Sequence, residues 1–114
     1  MESKLFSIEN RADTVVARFH GPRITNVDDI RSAGQALMRV IEEQKPTTLV
    51  LDLEKVNYLP SAMLGKLAAI RTSVSKQGGK LRLVNLQEPV EQLFEMTRLN
   101  TIFEIFSDLD SALN

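Results

Sequence analysis

Thr48-Leu-Val-Leu-Asp-Leu53 is almost entirely apolar. A strand of this kind has no side to give to water, which places it inside a sheet whose faces are covered. This demand limits the fold most, because the chain must supply a neighbour on each edge and helices above. The next residues add a second constraint. Glu54 to Pro60 is a short connection, and Pro60 pushes Leu59 towards an extended conformation, so a helix starts at Ser61. Ser61 has the character of an N-cap, whose hydroxyl accepts from a free N–H of the first turn. It also presents a hydroxyl at a helix N-terminus, where the backbone dipole favours negative charge.

The remaining elements follow from periodicity. Lys4 to Glu9 and Thr14 to His20 read as strands joined by a polar hairpin connection, Asn10 to Asp13. Gly21-Pro22 breaks the sheet and Arg23 to Asn26 is a loop. Val27 to about Glu43 carries Ile30, Ala33, Leu37, Met38, Val40 and Ile41 at helical spacing, with Asn26 as N-cap and Asp28 and Asp29 in the first turn. Gly34 inside that helix costs about 1 kcal/mol relative to alanine and suggests a close approach to the sheet. Lys45-Pro46 ends it. The helix from Ser61 runs to about Lys76 with Met63, Leu64, Leu67, Ala68, Ile70 and Val74 as its apolar face, and Gly78-Gly79 stops it. Lys80 to Asn85 is a strand. Pro89 suits a first helical position, ahead of a stripe of Val90, Leu93, Phe94 and Met96. Thr101 to Phe106 is a last strand, and Ser107 to Asp110 forms a cap opening a terminal helix. The order is α/β: a mixed sheet of about five strands with about four helices, one layer of sheet covered by helices, in a single domain over residues 1–114.

The chain is long enough, at 114 residues, to bury a core without metals or disulfides. A formal charge of −1, with the basic residues scattered, gives no stripe for nucleic acid or an anionic membrane. The absence of cysteine removes a thiol nucleophile and a disulfide framework. The N-terminus lacks the long apolar run of a signal peptide, and no segment approaches the roughly 20 apolar residues that cross a bilayer. A cytoplasmic protein without membrane insertion is the expectation.

Catalytic constellations are missing. The single histidine, His20, ends a strand and reads as a solvated or hydrogen-bonded residue before a general base. One histidine and unclustered carboxylates give no metal site, and no cofactor motif is present; Gly78-Gly79-Lys80 enters a strand, not a helix. Two residues keep two readings each. Asp52 lies at the carboxyl end of the apolar strand, where open α/β sheets gather ligands, and equally suits a bonded residue that fixes the next loop. Ser61 is a cap or a reactive hydroxyl, although no G-x-S-x-G surrounds it.

Taken together, Leu49-Val-Leu-Asp-Leu53, Val56, Tyr58, Leu59, Ser61, Leu64 and Gly65 resemble the STAS domain, the family of anti-sigma factor antagonists and of the cytoplasmic domain of sulphate transporters. Gly78 to Asn85, Pro89 to Leu99 and Phe103 to Ala112 are similar to the family's later elements. The resemblance implies a non-enzymatic regulator that binds an anti-sigma factor or related serine kinase, with Ser61 as phosphoacceptor. It implies partner-interface residues at Pro60, Ala62, Met63, Asp52, Ile24 and Thr25. Met63 has an alternative place in the core. The family motif is altered: Pro60 stands for an acid, Ala62 for a hydroxyl residue and Met63 for a glycine, and Gly21 to Thr25 lacks the acid of the earlier turn. An interaction or scaffold module of a signalling or transport assembly, independent of phosphorylation, is the alternative.

Overall fold

The computed structural model describes residues 5–21, 24 and 26–113. Five strands, β1 (Phe6–Arg11), β2 (Thr14–Phe19), β3 (Thr48–Asp52), β4 (Lys80–Val84) and β5 (Glu104–Phe106), form one sheet in the order β1-β2-β3-β4-β5. β1 runs antiparallel to β2, and all later neighbours are parallel. The apolar run is therefore the central strand, as its composition requires. Each parallel step crosses through one helix: α1 (Val27–Gln44), α2 (Ser61–Lys76) and α3 (Glu88–Met96). Right-handed crossovers that all step the same way bring the three helices to one face.

The alternation of the strands divides the apolar residues between the two faces. Val15, Ala17, Leu49, Leu51 and Leu83 point at α1, α2 and α3, which return Leu37, Ile41, Leu67, Ile70 and Phe94. Each such side chain contributes about 1.5–3 kcal/mol by leaving water. On the opposite face, Val16, Val50 and Val84 pack against Ala112 of α4 (Leu109–Leu113), with Leu109, Leu113 and Phe106 at the margin. Arg82 fastens this small cover. Its guanidinium donates to Glu104 at 3.0 Å and to the Ala112 carbonyl, and it lies over the Phe106 ring.

Asn26 caps α1 as expected, its side-chain oxygen accepting from Asp29 N–H at 3.1 Å. Several local expectations are corrected. The hairpin connection is only Ala12-Asp13, because β1 pairs with β2 as far as Arg11↔Thr14. Gly34 faces α2 and not the sheet: a Cβ there would lie 3.2 Å from Lys66 Cδ. Ala68 is exposed on α2, whose buried face is Met63, Leu67, Ile70 and Val74. Met96, the last residue of α3, is 82% exposed, because helical geometry sets it off the face that Val90 and Phe94 bury. Pro89 takes the second helical position, since α3 already begins at Glu88. The last strand is shortened to three residues by a 3-10 turn at Leu99–Thr101. Asp108, one residue beyond Ser107, makes the terminal cap: it accepts from Ser111 N–H at 2.8 Å. That bond holds the Asp108 carboxyl below the ordinary aspartate range.

Candidate functional site

The parallel strands deliver their carboxyl ends to one rim, and the connection from β3 to α2 lies there between the ends of β2 and β4. Ser61 is the first residue of α2 and is exposed. It is not the N-cap. Pro60 takes that role with an extended backbone (φ −76°, ψ 160°), and its carbonyl accepts from Met63 N–H at 2.9 Å and Leu64 N–H at 3.3 Å. Proline's fixed φ suits the half-in position, so Ser61 is already helical and its hydroxyl makes no cap bond. By helix geometry, the N–H groups of Ser61 and Ala62 have no intrahelical acceptor. No acidic residue stands in the first turn to offset the dipole.

The other expected interface residues divide by burial. Ala62 is exposed and Pro60 half-buried, both beside the hydroxyl. Met63 is 1% exposed, and of its two readings the core is the one observed. The spacing 63, 67, 70, 74 explains this, since it sets Met63 at the head of the buried stripe of α2. Ile24 is also 1% exposed and belongs to the core, so neither side chain presents area to a partner. Thr25 lies outside the described residues. Val27, the first residue of α1, and Tyr58, in the connection from β3 to α2, are exposed at this same rim.

Asp52 is buried to 7% exposure and is fully engaged. One carboxylate oxygen accepts from Glu54 N–H at 3.0 Å and from Asn85 Nδ2 at 3.1 Å; the other lies 3.6 Å from Arg18 Nε. Of its two readings, this is the bonded residue that fixes the loop. Arg18 reaches on to Glu9, which Arg11 also contacts, and the two guanidinium groups hold the Glu9 carboxyl below its ordinary range. Gln87 Nε2 donates to the Glu54 carbonyl at 2.7 Å. From the β2 side, Gly21 (φ +53°) comes so near that a Cβ would lie 2.0 Å from the Lys55 carbonyl oxygen. The segment leading to Ser61 is thus held by Asp52 of β3 and by residues of the two neighbouring connections.

Sequence reasoning missed Arg18, Asn85, Gln87 and Gly21 as parts of this support. Asn85 left a signal, being an asparagine just past a strand, and it adopts a left-handed φ of 60°. Arg18 left a fainter one as the long cation within an apolar strand. His20 Nε2 lies 3.1 Å from Ser7 Oγ. Among the described residues, no three His, Cys, Asp or Glu lie together as a metal site, and no helix is long and apolar enough to cross a membrane.

Comparison with known proteins adds to this geometry. The family profile described as the STAS domain matches residues 7–112. The anti-sigma-B factor antagonist of Bacillus subtilis is 42% identical over 53 residues, 46% of this chain and 49% of that protein. The aligned region thus spans about half the length of that relative. The crystal structure of an anti-sigma factor antagonist from Mycobacterium paratuberculosis superposes with a TM-score of 0.82 at 27% identity, covering 95% of this chain and 89% of that one. The Bacillus cell fate determinant SpoIIAA in its phosphorylated form shares the fold, with a TM-score of 0.72 at 17% identity over 95% of this chain and 96% of that one.

Proposed function

Since the chain belongs to the STAS domain family, we propose that it works by binding other proteins and not by catalysis, as an antagonist of an anti-sigma factor that is itself a serine kinase. Ser61 is the residue whose phosphorylation ends the complex. One observation carries this reading: an exposed hydroxyl on the first residue of a helix whose N-terminus has neither a side-chain cap nor an acid. Support also comes from the Bacillus subtilis relative, named for antagonism of an anti-sigma factor, and from a protein of the same fold in a phosphorylated form.

The physical logic is a difference between two environments. A phosphate adds about −1.5 to −2 charges and three acceptor oxygens at neutral pH. Within the free protein it meets the N-terminus of α2, where the dipole contributes about 0.3–1 kcal/mol in its favour. In an interface built around a neutral hydroxyl the same charge is desolvated and repelled. The modification therefore separates the partners and leaves the fold intact. A rigid support suits such a switch, and the Asp52, Asn85 and Gln87 bonds hold the loop whether or not phosphate is present.

A second reading is favoured by the altered motif. Pro60, Ala62 and Met63 stand where the family carries an acid, a hydroxyl residue and a glycine, which fits a scaffold module that no kinase addresses. One experiment separates the two. Tagged wild type, Ser61→Ala and Ser61→Asp proteins are expressed in the source cells, the co-purifying partner is identified, and its affinity for each is measured. Phosphate on Ser61 by mass spectrometry, with Ser61→Asp binding at least about tenfold more weakly than Ser61→Ala, is expected; tenfold corresponds to about 1.4 kcal/mol. Equal binding by all three, with Ser61 unmodified, turns the reading to the scaffold.

A further inference from the structure

α1 and α2 do not close fully against each other. Between them lies a half-open groove of about 330 Å3, lined by Gly34, Met38, Arg39, Lys66, Ala69 and Ile70, of which Met38 and Ala69 keep exposed apolar surface. The absence of a side chain at Gly34 creates a seat, and the Lys66 stem occupies it: Cδ, Cε and Cγ of Lys66 lie 3.2, 3.6 and 3.8 Å from where a Cβ of residue 34 would stand. A glycine inside an 18-residue helix costs about 1 kcal/mol relative to alanine. Here the cost coincides with a lysine stem laid against α1 at the groove.

A second cation joins it. Arg39 of α1 lines the same groove, and neither Arg39 nor Lys66 has an ion pair among the described residues. Two cationic residues from facing helices line one groove beside the apolar side chains of Met38 and Ala69, with Glu42 further along α1. Two positive groups beside one concave apolar surface favour an anion attached to an apolar body, and Glu42 disfavours a ligand with several negative charges. The volume is at the lower end for small-molecule sites and is too small for a partner's helix.

We propose that the α1–α2 groove is a binding site for a small amphipathic monocarboxylate, an acyl or arylalkyl acid, with its carboxylate held by Arg39 and Lys66 and its body on Met38 and Ala69. The site is separate from Ser61. No feature of the proposed partner switch requires it, so either can fail without the other.

Amide NMR on the full chain tests this, with decanoate, 4-phenylbutyrate, decanol and adenosine triphosphate as separate probes below any micelle-forming concentration. Both carboxylates are expected to produce saturable shifts centred on the amides of Gly34, Lys66 and Ala69. Decanol and the triphosphate should bind at least about fivefold more weakly. The same titration on Arg39→Glu/Lys66→Glu, and on Ala69→Trp, which fills the groove, should lose those shifts while amide dispersion shows both variants folded. Decanol binding as well as decanoate overturns the role of the cations. Preferred binding of the triphosphate overturns the assignment to a monoanion. Shifts centred on Met96 and Ile102, shifts that survive in both variants, or no saturable shift with either acid overturn the site itself.

Discussion

At the scale of single residues, two helix starts that look alike in sequence behave differently. Asn26 makes a cap bond and Ser61 does not. Asn26→Ala should therefore lower stability by about 1 kcal/mol, whereas Ser61→Ala should stay within about 0.5 kcal/mol of wild type. Urea unfolding of the two variants checks this directly, and a Ser61→Ala loss equal to that of Asn26→Ala would restore the cap to Ser61. The same independence makes Ser61 suitable for modification, because nothing in the fold relies on its hydroxyl. Asp52 is the opposite case. Asp52→Ala leaves Glu54 N–H and Asn85 Nδ2 without their acceptor, and should cost about 2 kcal/mol and loosen the amides of residues 54–60 in hydrogen exchange. Both sites could be picked out in the sequence, Asp52 by its place at a strand end and Ser61 by the proline before it. Their roles could not be decided there, since each depended on partners 33 residues away or on a one-residue shift in the helix start.

At the scale of elements, α1 and α4 show opposite kinds of dependence. Gly34→Ala in α1 gains helix propensity, and the atom it meets belongs to a flexible lysine stem, so stability should rise by about 0.5–1 kcal/mol. Differential scanning calorimetry checks the sign; a fall would mean that the Lys66 stem cannot move aside. Five residues cannot hold α4 as a helix alone, and its attachment rests on the Val16, Val50 and Val84 patch and on Arg82. Arg82→Ala should speed hydrogen exchange in residues 109–113 well before it affects β3 or β4, which protection factors by element would show. Helical periodicity revealed α1, α2 and α3 correctly, because each buries a stripe along its own length. The sequence reading also put Met96 in the buried stripe of α3 and carried the last strand back to Thr101, since what an end residue meets is set by what lies above it.

At the scale of the whole molecule, the ion pairs among the described residues are the linked set Arg11–Glu9–Arg18–Asp52 and the separate pairs Arg31–Asp28 and Arg82–Glu104. Glu9, bonded to Arg18 and Arg11, and Asp108, bonded to Ser111, both titrate below their ordinary ranges when folded. A depressed folded pKa means that the unfolded chain takes up the proton first. The stabilisation is thus complete above the ordinary carboxylate range and is lost as pH falls through the depressed values. The urea midpoint should be flat between about pH 7 and 5.5 and fall below about pH 4, with a shallower fall in Glu9→Gln/Asp108→Asn. A midpoint indifferent to acid would remove these two pairs from the stability of the fold.

The central strand, the α/β order and the covering helices were legible from sequence because burial and periodicity are written residue by residue. A run without a polar face can only be interior, and a 3.6-residue stripe can only be a half-buried helix. The tertiary structure alone decided which residues meet. It turned Met63 and Ile24 inward, set Gly34 against Lys66 and not the sheet, and brought Arg18 and Asp52 of two strands together with Asn85 of the connection after β4. Such contacts depend on sheet register and crossover direction, which pair residues distant in the chain. No local pattern contains that information.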